Sequence, residues 1–303
     1  MTAELHDTTT GRSLFDQTIA RIAVGGYDDY QAVRKATLNR VRDVIRKKRE
    51  GIPFDAVEDE KDDPDYSSEY ADDNLPELIA EMFAADELTQ HERDYLDHLL
   101  TLARESQQIE EQFKDIMEIV EYEPIYREYL QHVNGVGGTL AARLIHQFGY
   151  CEDFDRVSEL WSYSGLAPGQ KRERGETLGY NPKAKTLGWM VADCMVKQGD
   201  RSDYRTAFYD PYKRKQLRRM ERADDMTEEQ LDQQPWTPPQ SQGHANNRAM
   251  RYLAKKFLKH YWAISRDLAD EDVPDEWVIT HGGHDKRTDT FENPFYALDQ
   301  LRD

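Results

Sequence analysis

The sequence predicts an all-α protein, and three observations carry that expectation. Apolar side chains recur every three or four residues over long stretches, as in Leu96, Leu99, Leu100 and Ala103, which is the period of a helix with one buried face. Proline and glycine punctuate those stretches, at Pro124, Gly135, Gly165 and Gly199. Residues 1–124 contain no β-rich run. With 303 residues, 38% of them hydrophobic, the chain is long enough for two domains with a core.

Charge narrows the classes of partner. The chain holds 59 acids against 40 bases, a formal net charge of −19. That balance resembles proteins adapted to molar salt (halophilic), whose hydrated acidic surface keeps them soluble. At such ionic strength the Debye length is about 3 Å, so only contact-range charges decide what a surface binds. Cys151 and Cys194 are too few for a disulfide framework or a structural zinc site and are expected as small buried thiols. The N-terminus has no apolar signal core and no run approaches the ~20 apolar residues of a membrane span, so a cytoplasmic protein without a membrane partner is expected.

The elements follow in chain order. Residues 14–49 alternate apolar and basic positions at helical spacing, and 31–50 hold eight bases and two acids, so 1–50 is a basic helical region. Residues 51–100 hold 17 acids and two bases, and VEDEKDDPDYSSEYADDN has too little apolar content to pack; 51–74 is expected as an acidic linker. From 75 to 124 the spacing predicts a long helix, whose 90–122 part can dimerise as a coiled coil. A short helix over 125–133 follows, aiming Ile125, Tyr129 and Val133 to one side.

NGVGGTLAARLIHQFG, residues 134–149, then sets a glycine-rich bend before a second helix with Leu140, Leu144 and Phe148 on its inner face. Val136 is expected to plug the seam and Thr139 to cap the helix, with Gly135, Gly137 and Gly138 leaving backbone amides open at the positive end of the helix dipole. An anion such as a phosphate suits that position. The arrangement resembles a helix-hairpin-helix, a sequence-independent binder of the DNA backbone. Ser158 is placed to cap a short helix ended by Gly165, and Asn181 with Pro182 opens another that Gly199 closes. Its first turn carries Lys183 and Lys185, and residues 171–222 hold 14 bases against seven acids, including Lys171, Arg172 and Arg174. The last strong helix is expected to start at Asn246 or Asn247, with Arg248, Arg251, Lys255 and Lys259 down one face and Met250, Ala254, Phe257 and Tyr261 down the other. That stripe is read as a polyanion-binding face.

Four blocks in order, NGVGGTLAARLIHQFG, LWSYSGLAPG, RTAFYDPYKRK and NNRAMRYLAKKFLKHYWAI, resemble the C-terminal domain of the "IS one-ten" insertion-sequence transposases and Piv-type DNA invertases. The resemblance covers residues 125–268, interrupted by an insertion at about 216–243, and leaves 269–303 as a tail. It implies DNA as partner, with a structured RNA as the alternative polyanion. It also implies four acidic metal ligands on a RuvC-like N-terminal domain and a serine nucleophile shortly after the SGLAP block. This chain departs from both: residues 1–124 show no such domain, and no serine lies between Gly165 and Arg201. Thr177 and Tyr180 are the weak catalytic candidates, and Mg²⁺ enters only if they act; otherwise no cofactor or metal is expected. The reading is a transposase-like DNA-binding protein, catalytically degenerate. The alternatives are an active transposase or recombinase with a non-serine nucleophile or a partner-supplied catalytic domain, and an interaction protein on a repurposed fold. His281, His284 and Asp285, in a glycine-rich stretch, are a weaker metal-ligand set.

Overall fold

The computed structural model describes residues 19–53, 70–168, 177–275 and 289–302. Among them every regular element is helical, so the fold is all-α. The chain divides into two compact units, residues 22–116 and a second containing 117–303. Residues 54–69 of the expected acidic linker and the set His281, His284 and Asp285 lie outside the described residues; the end of that linker is no loose segment, since Asp72–Asn74 form a 3₁₀ turn and Arg42 of the first helix pairs with Asp72 and donates to Tyr70 O.

The first unit is built on α1 (Ala20–Glu50), α2 (Leu75–Ala84) and α3 (Gln90–Met117). Leu38, Val41 and Ile45 of α1, three and four apart, bury against Leu75, Ile79, Met82 and Leu96. α1 and α3 run antiparallel: Tyr30 stacks on Phe113, Arg34 grips Glu110, and Lys48 pairs with Glu92 at 2.6 Å. The helix expected over 75–124 is interrupted. Ala85–Thr89 form a turn, with Asp86 at φ +56°, and Thr89 exchanges hydrogen bonds with Glu92 to start α3 afresh. A capping box outweighs the continuity of the apolar pattern there. After α3 the chain tightens into a 3₁₀ turn, Glu118–Tyr122.

The second unit holds the remaining elements. The helix expected over 125–133 is realised as α4 (Pro124–Glu128) and a 3₁₀ turn, Leu130–His132, with Ile125, Tyr129 and Val133 buried as the spacing requires. α5 spans Gly138–Phe148, α6 Val157–Tyr163, α7 Pro182–Lys197, α8 Asp210–Asp224 and α9 Glu228–Asp232. Ser158 sits inside α6 instead of capping it; the Glu159 carboxylate accepts from the Arg156 N–H to close the first turn. Asn181 caps α7 as expected, accepting from Lys183 N at 2.9 Å and Ala184 N at 3.2 Å.

At the centre lies α10, Gln242–Leu268, which begins before the expected Asn246 because Ser241 accepts from the His244 N–H. Its Leu253, Phe257, Leu258 and Tyr261 are fully buried. A π-helical turn, Arg205–Tyr209, precedes α8: Pro211 has no N–H, and Asp210 N reaches back five residues to Arg205 O. This turn delivers Tyr204 and Phe208 to α10. The residues expected as a tail end in α11, Pro294–Arg302, which returns to α4 through an Arg302–Glu128 ion pair.

Candidate nucleic-acid interface

The glycine bend is the first candidate, and its residues divide into packed and open ones. Gly135 has φ +102°, and a Cβ there would stand 2.9 Å from the Cys194 carbonyl group, so the close approach of two backbones dictates glycine. Val136 is buried, filling the seam as its position predicts, and Asn134 Nδ2 donates to Arg201 O at 2.8 Å. Gly137 is exposed with open space around its Cα. The cap of α5 is Gly137 and not Thr139, which stands one residue inside the helix; Leu140 N and Ala141 N both donate to Gly137 O. Among the described residues the N–H groups of Gly138 and Thr139 have no backbone acceptor, and the first turn of α5 carries no acid. Val120 packs against Gly138, however, and its 3₁₀ turn carries Glu118 and Glu121. The cationic face therefore has to come from elsewhere.

It comes from the other end of α7. Ala184, Leu187, Gly188, Val191, Ala192 and Met195 bury one face of this helix, with Gly188 against Ala254 and Leu258 of α10. That packing leaves Lys185, Thr186 and Trp189 on the flank, opposite His244, Asn247, Arg248 and Arg251 of α10. Between the two helices opens a cleft of ≈ 650 Å³ floored by Leu166 and Ala254. Among the described residues no carboxylate lines it. Its cations bond to neutral groups: Arg251 donates to Ala167 O at 2.9 Å, Arg248 to Gln216 Oε1 and Thr237 O at 3.1 and 2.6 Å, and Lys185 to the Tyr180 hydroxyl at 3.2 Å.

Lys185, Arg248 and Arg251 are thus brought together from distant parts of the sequence. The expected stripe down α10 is not a free face: Arg248, Arg251, Lys255 and Lys259 are all half-buried, because α10 is packed by neighbours on most sides. Lys255 lies 4.0 Å from the centre of the Trp161 ring, and Lys259 donates to Glu292 O. Lys183 is exposed on the first turn of α7. Lys185 and Cys194 are nine residues apart on one helix, about 14 Å at 1.5 Å per residue, so bend and cleft are two separate places. Lys171, Arg172 and Arg174 lie outside the described residues, which break off at Pro168, just after the carbonyl held by Arg251. Of the weak catalytic candidates, Thr177 is exposed. The Tyr180 ring packs on Gly165, whose φ of +64° no other residue adopts as cheaply, and carries Lys185 above it at 4.5 Å.

Two features are not legible in the sequence. Trp189 is 42% exposed in the cleft, although an apolar helix suggests core. Behind α10 a buried relay joins the Tyr129 hydroxyl to that of Tyr204 at 2.5 Å, and Tyr204 to His260 Nδ1 at 2.7 Å. Burial holds both phenols well above their ordinary range and, with Lys259 adding repulsion, pushes the imidazole down to about 3. Cys151 is buried but Cys194 is half-exposed, against expectation.

Among the described residues no group of three or more His, Cys, Asp and Glu side chains gathers as a metal site, and no helix is long and apolar enough to cross a membrane. No curated protein and no solved structure matches the chain. Residues 127–205, which carry the glycine bend, α5, α6, α7 and the α7 side of the cleft, match the model of the transposase IS116/IS110/IS902 family, consistent with the C-terminal domain that the four blocks resemble.

Proposed function

We propose that this transposase-like protein binds DNA through its phosphate backbone, largely without regard to sequence, with the cleft between α7 and α10 as the main contact and the amides of Gly138 and Thr139 as a second one. The observation that carries this reading is the convergence of Lys185, Arg248 and Arg251 on a cavity that no carboxylate of the described residues lines, in a chain of net charge −19. Cations held by carbonyls and a phenol keep their charge uncompensated, so an incoming phosphate meets an attraction that internal ion pairs do not cancel. Replacing Lys185 and Arg251 together by Glu is expected to weaken binding to two unrelated duplexes equally, by at least tenfold at 0.1 M salt. It should also flatten the salt dependence by roughly one unit of slope for each phosphate that is no longer neutralised. Fluorescence anisotropy checks both, and unchanged affinity with an intact helical spectrum would refute the assignment.

In this reading the strand chemistry of the family is lost. One observation favours a second reading, in which the enzyme is active: Lys185 Nζ donates to the Tyr180 hydroxyl at 3.2 Å, which sets a cation able to hold a strand phosphate beside a candidate nucleophile. Incubation with a labelled DNA strand and Mg²⁺ separates the two. A covalent adduct that disappears in Tyr180→Phe establishes the enzyme, and its absence leaves the binding protein.

A further inference from the structure

The cleft holds more than cations, and its remaining lining points to what it takes. Trp189 turns an indole toward solvent from a helix whose opposite face is fully packed. Thr186 and Asn247 add a hydroxyl and an amide beside it. A paired duplex presents phosphates to such a surface but keeps its bases stacked, so nothing in it could use the indole. An unpaired nucleotide offers both parts: a phosphate for Lys185 and Arg251, and a base whose flat face stacks on an aromatic ring while its edge meets an amide. The volume of ≈ 650 Å³ falls within the roughly 300–1,000 Å³ typical of small-ligand sites. Lys185 and Trp189 are four residues apart on α7 and so adjacent on its surface, and Arg251 faces them from α10. One nucleotide can thus reach all three at once.

We propose that the cleft receives a single unpaired nucleotide, its base stacked on Trp189, its phosphate between Lys185 and Arg251, and its edge read by Asn247. This rests on the reading of the cleft as a nucleic-acid site and adds the form of nucleic acid that it prefers. The chemistry is shared by DNA and RNA, since none of these interactions involves the sugar.

The test compares a fully paired duplex with one of equal length carrying a single bulged 2-aminopurine, each made as DNA and as RNA. The full-length chain is used as wild type, Trp189→Phe and Trp189→Ala. Tighter binding of the bulged form of either nucleic acid is expected, with quenching of the 2-aminopurine fluorescence on binding. Trp189→Ala is expected to lose roughly 5- to 100-fold on the bulged form, the range for removing one stacking ring, with little change on the paired form. Trp189→Phe is expected to keep most of the preference. Because Trp189 stands at the surface outside the packed face of α7, the variants are expected to keep the wild-type circular dichroism. Equal affinity for bulged and paired duplexes, unmoved by Trp189→Ala, would overturn this proposal while leaving backbone binding standing. Failure to bind any of the four would overturn both.

Discussion

Single residues carry the sharpest consequences. At the bend the glycines differ in what they tolerate: Gly135 is locked by φ +102° and the Cys194 backbone, whereas Gly137 has open space and an ordinary φ of −91°. Gly135→Ala is therefore expected to destabilise the protein by about 1–3 kcal/mol or more, from strain and clash together. Gly137→Ala should leave the unfolding midpoint nearly unchanged, and a urea titration of both variants checks the contrast. His260 gives a pH dependence with a definite sign. Its imidazole is neutral in the folded protein down to about pH 3, while the unfolded chain protonates it near the ordinary 6.5. The contribution is fully present above pH 6.5 and is lost as the pH falls toward 3, at up to about 1.4 kcal/mol per pH unit. His260→Gln keeps a polar partner for Tyr204 and should remove up to one proton's worth of slope between pH 7 and 5. Equal slopes in variant and wild type would count against the assignment.

Among elements, the α1–α3 pair depends on an ion pair that the helical period does not announce. Arg34 donates to both oxygens of the buried Glu110, at 2.6 and 3.2 Å, and the carboxylate keeps the guanidinium firmly charged. Arg34→Leu strands that carboxylate and is expected to cost about 3 kcal/mol, while Arg34→Leu with Glu110→Leu should recover most of the loss. Thermal unfolding of the single and double variants distinguishes this from a simple packing defect. Helix starts are readable in the sequence where one side chain suffices, as at Asn181. The pattern misleads where the cap comes from a later residue or from glycine: Glu159 starts α6, and Gly137 rather than Thr139 starts α5. For α10 the apolar side, Met250, Ala254, Phe257 and Tyr261, packs as its period requires. The opposite side is half-covered as well, since a helix at the centre of a unit has no side reserved for solvent.

For the whole molecule, the net charge of −19 says how the surface is hydrated but not where a polyanion can sit. The sequence alone determined the all-α class, the inward faces of α4, α5 and α10, the Asn181 start of α7, and the family resemblance whose first two blocks fall within the match over 127–205, because helical period and glycine or proline placement act over a few residues. Only the tertiary structure decided that the cationic site is a cleft formed where α7 crosses α10 at Gly188 and Ala254, that Trp189 opens into it, and that the glycine bend stands about 14 Å away along the same helix. Those facts depend on the meeting of residues far apart in the chain, such as Lys185 facing Arg251, and no local period encodes such a meeting.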